Sequence, residues 1–70
     1  MANSIRDKLD RMYFLNEEIS RKQEDIRFAI ERNCRKQITD NALIELDKKL
    51  SREIKEHLRE WNEIKLMFLI

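Results

Sequence analysis

The chain contains no glycine and no proline, and it has a single cysteine, one Trp, one Tyr and three Phe. Without Gly or Pro the usual punctuation of turns and strands is missing, and so is the glycine-rich loop that cradles phosphates. Cys34 has no second cysteine to pair with, which excludes an internal disulfide. One Cys and one distant His57 also fall short of a metal ligand set. Long apolar runs are scarce: the opening "MANSIRDKLDRMYF" mixes charges with its apolar residues and reads as neither a signal peptide nor a spanning segment. A cytoplasmic protein with no membrane partner is expected. The formal net charge of +1 gives no global field to gather nucleic acid or anionic lipid.

What the chain does have is charge and apolar surface in equal measure, each 41% of its 70 residues. That balance, without Gly or Pro, is the composition of long helices with coiled-coil character. So short a chain buries little core unless it associates, so a homodimer is expected.

From Ile5 the apolar residues step by four and three through Leu9, Met12, Ile19, Ile26 and Ile30, with Asn16 and Gln23 in the missing places. The same phase then meets Asn33, Gln37 and Asp40 and turns wholly polar. A second seam begins at Leu43 and continues through Leu50, Ile54, Trp61, Ile64 and Phe68, with Asp47 and His57 as its polar members. Asn33 is a residue that can end a helix in the left-handed region, and Thr39, Asp40 and Asn41 are all competent N-caps. One unbroken helix with a phase slip is the alternative. The spacing predicts an all-α antiparallel helical hairpin, a single domain over residues 1–70, dimerising through coiled-coil-like packing. Helix 1 covers about 4–33, the loop about 34–40 and helix 2 about 41–67. If the chain folds back near residue 38, positions whose numbers add to about 76 lie opposite each other. Ile30 then faces Leu46, Ile19 faces His57, Met12 faces Ile64, and Asn16 supplies a partner for the indole N–H of Trp61. The ending "IKLMFLI" gives Leu66, Met67, Leu69 and Ile70 more apolar surface than one helix can cover, a further reason to expect a dimer.

Two clusters invite chemistry. "RNCRKQ", with Arg32, Arg35 and Lys36, has the look of a zipper's basic region. No leucine seam follows it in phase, so it reads as a solvated loop with cations at a helix C-terminus. The second cluster is "ITDNALIELDKKL", where the carboxylate Asp47 interrupts an apolar stripe.

In that stretch the chain resembles the stage-zero sporulation regulatory protein E family, small two-helix phosphatases. The family signature, Ser-Gln-Glu-Leu-Asp early in the second helix, aligns with Leu43-Ile44-Glu45-Leu46-Asp47, of which Glu45, Leu46 and Asp47 match. "ISRKQEDI", Ile19 to Ile26, fits the family's first helix, so the resemblance runs from Ile19 to about His57. Leu43 and Ile44 stand where the family has Ser and Gln, and the Gly usual in its loop is absent. The resemblance implies a partner, a phosphorylated response regulator, whose aspartyl phosphate the hairpin binds and hydrolyses, and hence negative regulation of sporulation. It implies no cofactor of the chain's own, since magnesium comes with the regulator. Asp47 would orient the attacking water or take its proton, with Glu45 as second candidate. Leu43, Ile44 and Leu46 would supply apolar contact, and Lys48 a contact to phosphate or carboxylate. Two other readings stand beside this one: Asp47 as an ordinary helix carboxylate held by a cation across the hairpin, and the chain as a non-enzymatic coiled-coil adaptor or inhibitor.

Overall fold

The computed structural model describes the backbone of residues 2–69 and the side chains of residues 4–68. It is a hairpin of two helices, α1 (Ala2–Cys34) and α2 (Asp40–Leu69), packed against each other along their length. The side chain of Leu69 and all of Ile70 lie outside the described residues, so of the apolar ending only Leu66, Met67 and Phe68 are seen. All three are exposed.

The break expected from the polar stretch is there, and its chemistry is specific. Gln37 donates its backbone N–H to the carbonyl of Arg32 at 2.8 Å, and Lys36 donates to Asn33 at 2.9 Å. This pair of bonds is a Schellman motif, which satisfies carbonyls left open at the end of α1. The residue the motif places in the left-handed region is Lys36, at φ 62°, rather than Asn33. Asn33 acts through its side chain instead: its Nδ2 donates to the carbonyl of Ile38 at 3.2 Å and to Asp40 Oδ1 at 2.8 Å, tying the two helix ends together. Thr39 is the N-cap of α2, its Oγ1 accepting from the N–H of Ala42 at 3.1 Å.

A lysine at positive φ carries a steric penalty of roughly 1–2 kcal/mol that glycine avoids. Lys36→Gly should therefore stabilise the hairpin despite the freer unfolded chain, raising the midpoint of thermal unfolding by a few degrees. Calorimetry of the two proteins checks this, and an unchanged or lower midpoint would mean that Lys36 is not held in that conformation.

The interior keeps part of the expected seams, Met12, Ile19 and Ile26 on α1 and Leu43, Leu50, Ile54, His57, Trp61 and Ile64 on α2, and fills the rest with other residues. On α1 the inward positions are Lys8, Met12, Leu15, Ile19, Lys22, Ile26, Ala29 and Asn33, a continuous heptad seam. Leu15, at 0% exposure, is the most deeply buried residue. Asn16, Gln23 and Ile30, expected inside, flank this seam on its exposed side. On α2 the inward residues are Leu43, Leu46, Leu50, Glu53, His57, Glu60 and Ile64, with Ile54 and Trp61 half-buried beside them, and Asp47 lies outside. The reason is that Lys and Glu stems are apolar: Lys8 and Lys22 cover the seam with their methylenes while their charges reach the edge. Lys22 Nζ sits 3.2 Å from Glu18 Oε2 in this way. Among the described residues the ion pair that joins the two helices is Arg11 with Glu60.

Near the loop the facing residues lie close to the expected register: Ala29 and Leu46, and Asp25 and Leu50, border one groove. Toward the open end Arg11 donates from Nη2 to Glu60 Oε1 at 3.0 Å and from Nε to the other carboxylate oxygen, an ion pair across the hairpin made by two long side chains. Asn16 is exposed and does not supply the expected partner for Trp61, whose buried Nε1 has no hydrogen-bond partner among the described residues.

The Arg11 hydrogen bond holds the Glu60 carboxyl below its ordinary range, against the opposing effect of desolvation, and raises the guanidinium value in turn. A carboxylate with a depressed folded-state value stabilises above its unfolded pKa and loses that contribution as pH falls through the folded one. Wild type should accordingly melt slightly above Glu60→Gln at neutral pH, and the gap should close as the solution is acidified below the carboxylate range. The effect is small because the pair is solvated. Parallel melting curves from pH 7 to pH 2, with a gap that does not close, would contradict it.

Candidate functional site

Asp47 stands on the outer edge of α2, two turns after the Thr39 cap, exposed at a position that flanks the interior row. One of its carboxylate oxygens accepts from Ser51 Oγ at 3.3 Å, an i,i+4 contact within the helix. Among the described residues no lysine or arginine across the hairpin forms an ion pair with it.

Two shallow grooves meet at this carboxylate. One is apolar, lined by Ile26 and Ile30 of α1 and by Leu43, Ile44 and Asp47 of α2. The other runs along the solvent side of α2 and is lined by Asp47, Lys48, Ser51, Arg52 and Lys55. Asp47 is the one residue common to both, an acceptor with apolar contact on one side and three cations on the other. The arrangement suits an anionic ligand: the cations raise its local concentration, the apolar groove seats its carrier, and the carboxylate is free to accept from water.

The other residues singled out in the sequence divide between surfaces. Leu43 and Ile44 share the apolar groove with Asp47, Ile44 with about half its surface exposed (48%). Lys48 shares the basic groove. Leu46 points the other way, into the interior row, and borders a groove on the opposite face with Asp25, Phe28, Ala29, Arg32, Ile38, Ala42 and Leu50. Glu45 is exposed but borders none of these grooves, as expected for a residue two positions from Asp47 on a helix. Ile26, Ile30, Ser51, Arg52 and Lys55 join the site without having been picked out for it. For Ser51 the signal was its spacing of four from Asp47, and for the two isoleucines only the fold supplies the neighbourhood.

No group of His, Cys, Asp and Glu able to hold a metal ion occurs among the described residues, and no helix there is long and apolar enough to cross a membrane. Cys34 is exposed and unpaired at the end of α1.

No protein-family model, no curated protein and no solved structure matches the chain. The class defined by fold and site is thus a two-helix hairpin carrying an exposed carboxylate between an apolar and a basic groove.

Proposed function

We propose that the hairpin docks on a phosphorylated response regulator and removes the phosphoryl group from its aspartyl phosphate. The observation that carries this reading is the placement of Asp47, the last residue of the "ELD" match, at the exposed junction of the apolar and basic grooves. Ile26, Ile30, Leu43 and Ile44 seat on the regulator's surface, and Lys48, Arg52 and Lys55 face the phosphoryl oxygens. Asp47 accepts an O–H of a water held in line with the phosphorus. The water oxygen forms its bond to phosphorus as the bond from phosphorus to the acyl oxygen breaks. The regulator's aspartate leaves as carboxylate, and the proton passes through Asp47 to solvent with release of inorganic phosphate. Magnesium, held by the regulator, supplies charge neutralisation. Ser51, by donating to one Asp47 oxygen, fixes the carboxylate's rotamer and leaves the other oxygen for water.

The second reading, a non-enzymatic adaptor or inhibitor, is favoured by one observation. Leu43 and Ile44, where the resembled family has Ser and Gln, make the surface beside Asp47 apolar, which strengthens docking and withholds an amide from the water.

A binding titration of the chain against purified response regulators, with and without a stable mimic of the acyl phosphate, tests the docking that both readings share. Saturable binding to one regulator is expected, weakened by about tenfold or more in Ile44→Asp, which places a charge in the apolar groove. Absence of binding to every regulator tried would leave only a partner of another class.

A further inference from the structure

The chain exposes 5962 Å², where a compact monomer of 8.7 kDa exposes about 4,700 Å². The excess of about 1,200 Å² is more than the roughly 800 Å² that each partner gives up in a standard interface. It belongs to a rod with extents of 53 × 14 × 13 Å, and one side of that rod is nearly free of charge. On α1 the stripe Leu9, Asn16, Gln23 and Ile30 flanks the interior seam, with Leu9 and Ile30 each about half exposed, and Ile5, in the row of Met12 and Ile19, is exposed at its open end. Beside it on α2, at heptad spacing from Asp47 and Ile44, run Ile54, Leu58, Trp61, Lys65 and Phe68. The α1 stripe holds no charge at all in a chain that is 41% charged. The α2 side holds only two: Asp47 near the loop and Lys65 near the open end, the latter with its Nζ 5.4 Å from the centre of the Trp61 ring.

We infer that this face receives a second copy of the chain, the two hairpins lying antiparallel, so that Asp47 of each approaches Lys65 of the other. The charge pattern selects the occupant and its direction. A face with one carboxylate toward one end and one ammonium toward the other is complementary to itself when turned end for end about a two-fold axis. A parallel pairing about a two-fold along the rod would set α2 over the uncharged α1 stripe of the other copy and leave Asp47 and Lys65 without partners. Asn16 and Gln23 fall in the middle of the stripe, where polar residues fix register between helices. Met12, Ile19 and Ile26 then serve two seams at once, one toward α2 and one toward the second copy. The dimer covers the groove beside Asp47, so a second copy and a regulator would compete for one face. That last step rests on the function proposed above; the self-association does not.

Sedimentation of the full chain without any regulator, over a range of micromolar concentrations, decides this. A dimer is expected, with a dissociation constant raised at least about a hundredfold in the double variant Leu9→Glu, Ile30→Glu. It should stay within about twofold for Phe28→Glu, on the opposite face. Asp47→Lys and Lys65→Asp should each weaken the dimer about fivefold, and the two together should restore it. A monomer at all concentrations, equal disruption by Phe28→Glu, or no recovery in the charge-swapped pair would overturn the proposal. Should the glutamate variants lose helicity, the charge swap still decides.

Discussion

Asp47→Asn should leave the phosphorylated regulator bound and slow the loss of its acyl phosphate about a hundredfold or more, the scale of losing a general base. The substitution keeps size and one acceptor oxygen, and Ser51 can still donate to it, so the geometry of α2 is preserved. What disappears is the charge that draws a proton from water. An exposed helix carboxylate contributes a few tenths to about 1 kcal/mol to stability, so the fold should not register the change. Glu45→Gln is the matched control: the same chemistry is altered two positions away, outside both grooves, and turnover should hold. Single-turnover decay of the acyl phosphate, with binding measured separately, distinguishes the outcomes. Equal decay with wild type and Asp47→Asn would remove Asp47 from the chemistry and favour the adaptor reading.

The largest effect on the fold is expected at Leu15. It is the one residue at 0% exposure among the described residues, and truncating a fully buried leucine costs about 2–5 kcal/mol. A domain of this size has roughly 4–10 kcal/mol of stability in total. Leu15→Ala should lower the unfolding midpoint by at least about 10 °C or abolish the folded state at 37 °C. Asn16→Ala, one residue on, should change it by no more than about 0.5 kcal/mol, because Asn16 faces outward. The pair of variants separates the two seams directly: a larger loss at Asn16 than at Leu15 would mean that the helices pack through the other row.

That comparison also marks where the sequence was legible. Two helices and the break between them could be read because a wholly polar stretch has nothing to bury, and because Thr39 is a strong cap. The choice of row was harder. Lys8, Lys22, Glu53 and Glu60 take interior positions, and a pattern read from apolar residue types passes over side chains whose stems are buried and whose charges are not. The neighbouring row, with Leu9 and Ile30 at its ends, fits the same step of four and three and remains half exposed. Asn16 belongs to this exposed row, so it gives Trp61 no hydrogen bond, and the Arg11–Glu60 contact depends on the reach of two long side chains. In the loop, the left-handed residue is decided by the count of residues in the Schellman motif rather than by preference, and it fell on Lys36 instead of Asn33. At the site, Asp47, Ile44 and Lys48 stand on adjoining surfaces because they share one helix. Leu46 separates from them by helical periodicity. Ile26 and Ile30 enter only through the fold, since nothing in α1 by itself points to a carboxylate in α2.

The most direct measurement of the account is the decay of acyl phosphate on a purified response regulator, magnesium present, with the hairpin added at a small fraction of the regulator's concentration. The account predicts that decay accelerates in proportion to the hairpin added, that each hairpin turns over many regulators, and that inorganic phosphate appears in equal amount. Decay that is unchanged or slowed on every regulator the chain binds would contradict it and leave a docking protein without hydrolytic chemistry.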